Sequence, residues 1–302
     1  MKEGSTDIAV IDSRLGGMEG VTAVYMVPGE RPALVDTGAR TSAATVRAAL
    51  AALGMGPGDL RWIVLTHVHL DHCGATGILA AAFPRATVLV HRRGARHLVE
   101  PGRLVAASAG VYGPRWSLYG GLDRTPAARV VAVDDGHRVD LGGGRALVML
   151  ETPGHARHHM SVLDEATGTV LAGDALGVRL AGAGLYPALP PSEIDLEAGD
   201  ASLARLEEIR PVHVRPSHFG DVPDPMAALA LARRQLALVR EAAGAADGPA
   251  TLAAELERRL PLGASVGDAA ALGLWRRLGW AEANIDGVAG WMASRGDRDA
   301  RQ

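Results

Sequence analysis

Residues 66 to 74 read Thr66-His67-Val68-His69-Leu70-Asp71-His72-Cys73-Gly74, directly after the apolar run Trp62-Ile63-Val64-Leu65. Between positions 67 and 72 this stretch carries three imidazole side chains and one carboxylate. Groups of this kind placed so densely are difficult to explain by packing. The alternative to a functional site is a polar loop of solvated histidines. A functional site is therefore predicted here first.

The geometry expected for this stretch is a buried strand followed by a ligand-bearing loop. An unbroken apolar run, bounded by glycine and proline at positions 56 to 58, predicts a strand covered on both faces. Beyond it, His67 and His69 alternate to one side, while Asp71 and His72 begin a predicted helix that continues through Phe83. The strand end can thus offer one ligand pair to each of two metal ions, since neutral imidazole and carboxylate groups bind zinc and non-haem iron.

The pattern His67-x-His69-x-Asp71-His72 resembles the signature of the metallo-β-lactamase superfamily. The later motifs of that family follow in order: Thr152-Pro153-Gly154-His155, Leu171-Ala172-Gly173-Asp174 and Pro216-Ser217-His218-Phe219-Gly220. The resemblance covers about residues 8 to 222. It implies an α/β fold of four layers, αββα, in which two mixed β-sheets are flanked by helices.

The resemblance also implies a binuclear metal site. His67, His69 and His155 would hold one ion, Asp71, His72 and His218 would hold the other, and Asp174 would bridge them. Two divalent cations are expected, with zinc as the first choice and iron or manganese as alternatives. Cations about 3.5 to 4 Å apart can share a hydroxide, because metal binding lowers the pKa of water to roughly 7. Asp71 and Asp174 are the predicted catalytic carboxylates.

The predicted function is metal-dependent hydrolysis of an ester, thioester, lactone or related bond in a small molecule. Within the superfamily, a glyoxalase II-like or lactonase-like branch fits the plain pattern best. An iron-containing redox or oxygen-binding protein is the alternative, either diiron or similar to a persulfide dioxygenase. The latter would use one iron held by His67, His155 and Asp174. A non-catalytic metal-binding scaffold is a third hypothesis.

Further candidate residues lie outside the ligand set. Asp36, in a segment that resembles the first motif of the family, either supports the metal site by hydrogen bonds or caps the next helix. His159 is a candidate to hydrogen-bond a ligand or the reacting group, whereas His158 is expected at the surface. Tyr112 and Tyr119 lie in the segment 100 to 128, which is predicted to be irregular and to bind substrate, although packing explains these tyrosines equally well.

Two more segments complete these expectations. Residues 175 to 195, with Gly182, are predicted to form a second irregular loop near the site, and Tyr186 within it is a third candidate tyrosine to support the site or face the substrate. His213 is expected to be a packed histidine within the last strand, and Cys73 is expected to be a small buried residue.

Strands are predicted at residues 8–11, 21–27, 33–35, 62–65, 87–90, 130–133, 138–141, 146–150, 161–163, 170–172 and 212–214.

The composition indicates an ordinary soluble globular chain. Its 302 residues are 48% hydrophobic and 22% charged, with a net charge of −3. Neither a basic patch nor aromatic stacking platforms indicate a nucleic-acid partner. The single cysteine excludes an internal disulfide framework. No signal peptide or membrane span is recognised, so a cytoplasmic protein without a membrane partner is expected.

Two regions are predicted along the chain. Residues 1–223 would form the catalytic domain and residues 224–302 a C-terminal helical extension, because helix-forming residues dominate from Asp224 onward. Trp275, Trp280 and Trp291 are predicted to anchor this extension by packing. Covering the active site and forming a homodimer surface are the alternatives.

Overall fold

The computed structural model describes residues 7–180, 183–191 and 193–299. Two mixed β-sheets form its centre. The first sheet has six strands in sequential order: β1 (Ala9–Asp12), β2 (Ala23–Val27), β3 (Ala33–Val35), β4 (Trp62–Val64), β5 (Thr87–His91) and β6 (Val130–Val133). The second sheet has five strands: β7 (Arg138–Gly142), β8 (Arg145–Glu151), β9 (Met160–Asp164), β10 (Thr169–Gly173) and β11 (His213–Pro216), in the order β11-β10-β9-β8-β7.

The helices are α1 (Ala43–Ala52), α2 (Leu70–Cys73), α3 (Thr76–Ala82), α4 (Arg92–Val99), α5 (Gly102–Tyr112), α6 (Trp116–Tyr119), α7 (Leu196–Ile209), α8 (Pro225–Ala245), α9 (Pro249–Arg259), α10 (Leu262–Val266), α11 (Ala269–Leu278) and α12 (Trp280–Asp299). Helices α1, α3 and α4 contact strands of the first sheet. Arg205 and Ser202 of α7 donate hydrogen bonds to the backbone at the end of β8. The predicted α/β fold, with two mixed sheets flanked by helices and a C-terminal helical part, is confirmed.

The sandwich core follows from the alternation of side chains along the strands. Tyr25 and Val35 in the first sheet and Met149 and Val162 in the second belong to one buried cluster between the sheets. Their neighbours along the strands, such as Met26, point the other way and join a larger cluster that includes helix side chains. Since successive residues of a strand face opposite sides, central strands such as β2, β3 and β10 are buried on both faces of their sheets.

Strand direction brings the functional motifs to one edge of the sandwich. Strands β3 and β4 run parallel, as do β10 and β11. Strand β8 has the same direction as β10, because each is antiparallel to β9. The segments that follow β3, β4, β8, β10 and β11 therefore leave at the carboxyl ends of parallel strands, where sites of α/β sheets are built.

The single helix predicted from Asp71 through Phe83 is wrong, because the chain forms two helices, α2 and α3. At the break, the backbone N–H of Ala75 donates to the carbonyl of Gly38, outside the helix. A Cβ on Gly74 would lie 2.3 Å from the oxygen of Leu70 and 2.6 Å from the nitrogen of Arg40. Close approach of the segment after β3 therefore divides the helix.

The segment 100 to 128 is not the irregular loop that was predicted, since α5 and α6 occupy much of it. No residue of α5 is fully buried. Its apolar side chains therefore give no strong core pattern, and the helix was missed for that reason. The segment 175 to 195 agrees better with expectation: in its described part, an isolated bridge pairs Val178 with Tyr186 and no helix forms before Leu196. Gly182 lies outside the described residues.

Two further observations concern exposure and membranes. His213, predicted to be packed, is exposed at the start of β11, so that prediction is wrong. Among the described residues, no helix combines the length and the apolar character needed to span a membrane.

Close packing at Gly154 predicts a large loss of stability in Gly154→Ala. Gly154 has φ +143°, and an added Cβ would lie 2.3 Å from the Cα of Gly199 in α7. Backbone strain and overpacking together should lower the free energy of unfolding by roughly 2 to 5 kcal/mol, measurable by urea denaturation. Gly110→Ala in α5 is the control, because nothing lies within 4 Å of its added Cβ. Equal effects of the two substitutions would contradict the prediction.

Candidate metal centre

The first group of candidate ligands consists of His67, His69 and His155. His67 and His69 follow β4, and His155 lies in the loop after β8. The Nδ1 atom of His69 lies 3.1 Å from Nε2 of His67 and 2.8 Å from Nε2 of His155. Three imidazole nitrogens thus converge on one point, as in a metal site that keeps an open position.

The second group consists of Asp71, His72 and His218. Asp71 and His72 lie in the single turn of α2, and His218 follows β11. Nε2 of His218 lies 3.5 Å from Oδ2 of Asp71, and Nε2 of His72 lies 3.7 Å from Oδ1 of the same carboxylate. This group therefore offers two imidazoles and one carboxylate.

Asp174 lies between the two groups. Its Oδ2 atom is 3.4 Å from Nε2 of His155 and 3.5 Å from Nε2 of His72, and its Oδ1 atom is 3.6 Å from Nε2 of His218. The strand β10 ends one residue earlier and delivers the carboxylate at the edge where the other motifs meet. A carboxylate in this position can contact cations in both groups.

The chemistry of these donors fits bound divalent cations. Among the described residues, Nε2 of His72 and Oδ1 of Asp174 are buried without a hydrogen-bond partner, and such atoms are costly unless something satisfies them. Burial lowers the pKa of His67 and His69 well below the usual value, with the neighbouring imidazoles acting in the same direction, so both rings are neutral. Neutral imidazoles and ionised carboxylates are the forms that bind metals.

Asp174 and His72 perturb each other strongly. Burial alone would raise the pKa of Asp174, but the imidazoles of His72, His218 and His155 hold it well below its usual value. Burial alone would lower the pKa of His72, but Asp174 and Asp71 raise it well above the usual value. The carboxylates thus stabilise a positive charge at this position, which a bound cation would supply in place of the proton on His72.

Asp36 supports this centre from behind. Its carboxylate accepts hydrogen bonds from the backbone N–H and the hydroxyl of Thr66 (2.8 and 2.9 Å), and from the hydroxyl of Ser217 (2.9 Å). Its Oδ2 atom lies 3.1 Å from Nδ1 of His72. No side-chain capping bond is made at Ser42, the N-cap residue of α1, and the hydrogen bonds of Asp36 go to Thr66, Ser217 and His72 instead. Of the two hypotheses for Asp36, its contacts agree with support of the metal site.

The other imidazoles are fixed in a similar way. Nδ1 of His155 lies 2.9 Å from the carbonyl of Ala188, and Nδ1 of His218 lies 2.7 Å from the carbonyl of Val21. A donor bond to a carbonyl leaves Nε2 free to act as a ligand. These contacts set the orientation of each ring from parts of the chain far away in sequence.

Comparison with known proteins identifies the family. The family model described as the metallo-beta-lactamase superfamily matches residues 16–228. The chain belongs to the metallo-β-lactamase superfamily. A metallo-beta-lactamase fold-containing protein of Sulfurisphaera tokodaii, ST1585, is 34% identical over 205 residues, which cover 66% of this chain and 73% of that protein.

Solved structures and one named enzyme agree with this assignment. The archaeal superfamily protein ST1585 from Sulfolobus tokodaii superposes with a TM-score of 0.72 at 27% identity, covering 94% of this chain and 98% of that chain. The family protein TTHA1429 from Thermus thermophilus gives 0.66 at 25% identity, with coverages of 96% and 94%. The N-acyl homoserine lactonase AttM of Agrobacterium fabrum is 33% identical over 117 residues, which span 37% of this chain and 38% of the lactonase.

Two histidines beside the superfamily motif have distinct positions. His159 is buried, and its Nε2 atom accepts a hydrogen bond of 2.9 Å from the backbone N–H of Asp174. His159 therefore contacts the backbone of the candidate ligand Asp174. His158, expected at the surface, is also buried, with Nε2 at 3.5 Å from Glu193. That expectation is wrong because the loop that carries Glu193 covers the ring, and burial lowers the pKa of His158 to about 3.

The three candidate tyrosines separate in space. Tyr112 lines the cavity at the metal centre beside His69 and Asp71. Tyr119 stacks behind it, with ring centroids 3.8 Å apart, and is buried, so packing describes its position. Tyr186 lies away from the cavity lining: its hydroxyl donates to the carbonyl of Leu260, and burial raises its pKa to about 12. Of the three, only Tyr112 lines the described cavity.

The C-terminal helices cover the metal centre. Trp275, Trp280 and Asn284 line the same cavity as the candidate ligands, and the ring of Trp280 lies 5.0 Å from that of His218. Asn284 accepts a bond from the N–H of Leu189 and donates to the carbonyl of Pro187. Of the alternatives for this extension, the structure shows that the helices cover the site and that Trp275 is packed. The homodimer surface and the boundary at residue 224 stay predictions.

Some residues of the site gave no signal in the sequence. Thr66 was visible next to His67, but nothing indicated that its hydroxyl meets Asp36. Trp280 and Asn284 lie far along the chain in helices whose spacing indicates packing alone. A tertiary contact over such a separation has no local pattern.

Proposed function

We propose that this chain is a metal-dependent hydrolase that cleaves an ester, thioester or lactone bond of a small molecule. The observation that carries the proposal is the convergence of two donor groups around Asp174, whose carboxylate oxygens lie within 3.6 Å of ring nitrogens from both groups. Membership of a superfamily of mostly hydrolases supports it. Partial similarity to the lactonase AttM supports including lactones among the substrates.

In this proposal, His67, His69 and His155 hold one divalent cation, and Asp71, His72 and His218 hold a second, with Asp174 contacting both. Such cations lower the pKa of water and polarise an acyl oxygen, which makes a protein nucleophile unnecessary. Zinc is the first choice, and iron or manganese are alternatives. Because Asp71, His72 and His218 also converge, the arrangement favours this assignment over a single iron held by His67, His155 and Asp174.

The residues of the chain itself supply orientation and proton acceptance. Asp71 lines the cavity, so its carboxylate is placed to accept a proton from water or pass one to the leaving group. Trp275 and Trp280 form an apolar wall that limits water at the centre. The cavity is small, about 60 Å³, which suits the scissile bond rather than a whole substrate.

The test is hydrolysis of a panel of esters, thioesters and lactones by the purified chain, before and after removal of metal with a chelator. At least one class should be hydrolysed, activity should disappear on chelation, and added zinc should restore it. A metal-loaded, folded chain that hydrolyses no member of the panel would overturn the proposal. Oxygen consumption by an iron-loaded chain would instead support the redox alternative.

Tyr112→Phe should lower kcat by roughly tenfold, because a phenol hydroxyl facing the centre can donate a hydrogen bond to the reacting oxygen. Burial raises the pKa of the Tyr112 phenol well above its usual value, so the hydroxyl stays protonated. The measurement is steady-state hydrolysis together with metal content, which should not change. Tyr119→Phe is the matched control, and an equal loss in both variants would assign the effect to packing.

A further inference from the structure

A groove leads outward from the metal cavity. It is lined by α4, α5, the loop around Pro190 and the junction of α11 and α12, and it encloses about 390 Å³. The groove and the cavity share His69, Tyr112 and Trp280. Its volume lies within the usual range of roughly 300 to 1,000 Å³ for small-molecule sites. A substrate whose scissile bond lies at the metal centre would therefore extend into this groove.

One wall of the groove is apolar. Leu104, Ala107 and Val111 of α5 all line it. Their spacing of three and four residues places them in a row on one face of the helix. Pro190 and Pro191 line it as well. An extended aliphatic segment would find continuous apolar contact along this wall.

The outer part of the groove carries positive charge. Arg96, Arg103 and Arg115 line it, and Glu193 is the acidic residue among the described lining. Oε2 of Glu193 lies 3.5 Å from Nε2 of His158, whose low pKa leaves the ring neutral, so one carboxylate charge stands against the three arginines. In the portion of the chain that the structure describes, no carboxylate forms an ion pair with these three arginines, whereas Arg92, on the same helix as Arg96, pairs with Asp134. The groove therefore offers guanidinium groups without an internal partner.

The three arginines differ in availability. Arg115 donates from Nε to the carbonyl of Arg277 at 3.0 Å, which ties it to the end of α11. Arg96 has only a long contact of 3.4 Å from Nε to His97, and Arg103 is exposed on the first turn of α5. Guanidinium groups bind carboxylates and phosphates in a fork geometry. Arg96 and Arg103 are therefore the two arginines of the groove that are available to bind an anionic group.

We propose that the substrate carries an aliphatic segment beyond its scissile bond, followed by an anionic group that Arg96 and Arg103 bind. The segment packs on Leu104, Ala107 and Val111, and the anion lies at the outer end of the groove. This assignment rests on the proposed function, because it names the substrate class of the same centre.

The test compares two esters that differ in one group. 4-Nitrophenyl hydrogen suberate and 4-nitrophenyl octanoate have acyl chains of equal length, and only the former ends in a carboxylate. In Arg96→Gln/Arg103→Gln, KM for the suberate ester should rise roughly five- to tenfold at low salt, as expected for two exposed charge contacts. Its kcat, both constants for the octanoate ester and the metal content should be unchanged.

Arg47→Gln/Arg234→Gln is the matched control, because it removes the same charge from exposed positions outside the groove. An unchanged KM for the suberate ester in the groove variant, or an equal rise in the control, would overturn the inference. Calorimetric binding of monomethyl suberate to the metal-free chain is a readout that does not depend on hydrolysis, and it should weaken only in the groove variant. If the parent chain hydrolyses neither ester, the proposed function is at fault, and the calorimetric comparison still decides the groove.

Discussion

Asp174→Ala should abolish hydrolysis, with a loss of roughly 10³-fold or more, while the chain remains folded. The carboxylate of Asp174 lies within 3.6 Å of ring nitrogens from both donor groups. Removing this carboxylate takes away the charge that lies close to both donor groups. The substitution also leaves the buried imidazole of His72 with one fewer anionic neighbour. Metal content should therefore fall together with activity.

The measurement combines hydrolysis rates, elemental analysis and circular dichroism of the parent and the variant. Glu208→Ala is the control, because it removes one negative charge from an exposed position on α7. His67→Ala should behave like Asp174→Ala, since His67 is a member of the first donor group. Full activity in both ligand variants would remove the basis of the metal-centre assignment.

Asp36→Ala should weaken metal binding by about 10- to 100-fold although Asp36 itself is not a proposed ligand. The substitution leaves the hydroxyl groups of Thr66 and Ser217, and Nδ1 of His72, without their shared acceptor. Because these groups are buried, the free energy of unfolding of the metal-free chain should also fall, by about 3 to 5 kcal/mol.

Metal titration and urea denaturation of the metal-free protein measure these two effects separately. Asp36→Asn is the conservative comparison, because its amide oxygen retains the shape and part of the accepting capacity. We expect an intermediate result for it. A destabilised Asp36→Ala chain that binds metal as tightly as the parent would show that Asp36 supports only the fold.

The sandwich and the meeting of the candidate ligands at one edge were predictable from sequence because their signals are local. The run at Trp62 is a short apolar segment followed by ligands, and β10 is a buried apolar strand that ends just before Asp174. Each candidate ligand lies in the segment that follows a strand, and parallel strands bring their carboxyl ends together. Neither inference required knowledge of distant contacts.

The parts that escaped prediction depend on contacts between distant segments. The helix after Asp71 breaks because the segment near Gly38 packs against it, and periodicity within the helix does not show this. Helix α5 was missed because its apolar row faces a groove rather than the core. His158 is buried by a loop more than thirty residues away, whereas His213 is exposed because β11 is at the edge of its sheet.

The position of the C-terminal helices has the same explanation. Their spacing indicated an apolar face but not its partner. Asn284 binds the backbone at Leu189 and Pro187, across roughly a hundred residues, and this fixes α12 over the centre. Polar contacts of this kind depend on the assembled fold.

The most direct test of the candidate metal centre is the number of metal ions bound per chain. It is measured by elemental mass spectrometry on protein purified without added metal or chelator, with an optical spectrum recorded in parallel. We expect about two divalent ions per parent chain, zinc foremost, and a clear loss in Asp174→Ala. A folded parent chain that contains no metal and cannot be loaded with zinc, iron or manganese would contradict the assignment of the centre.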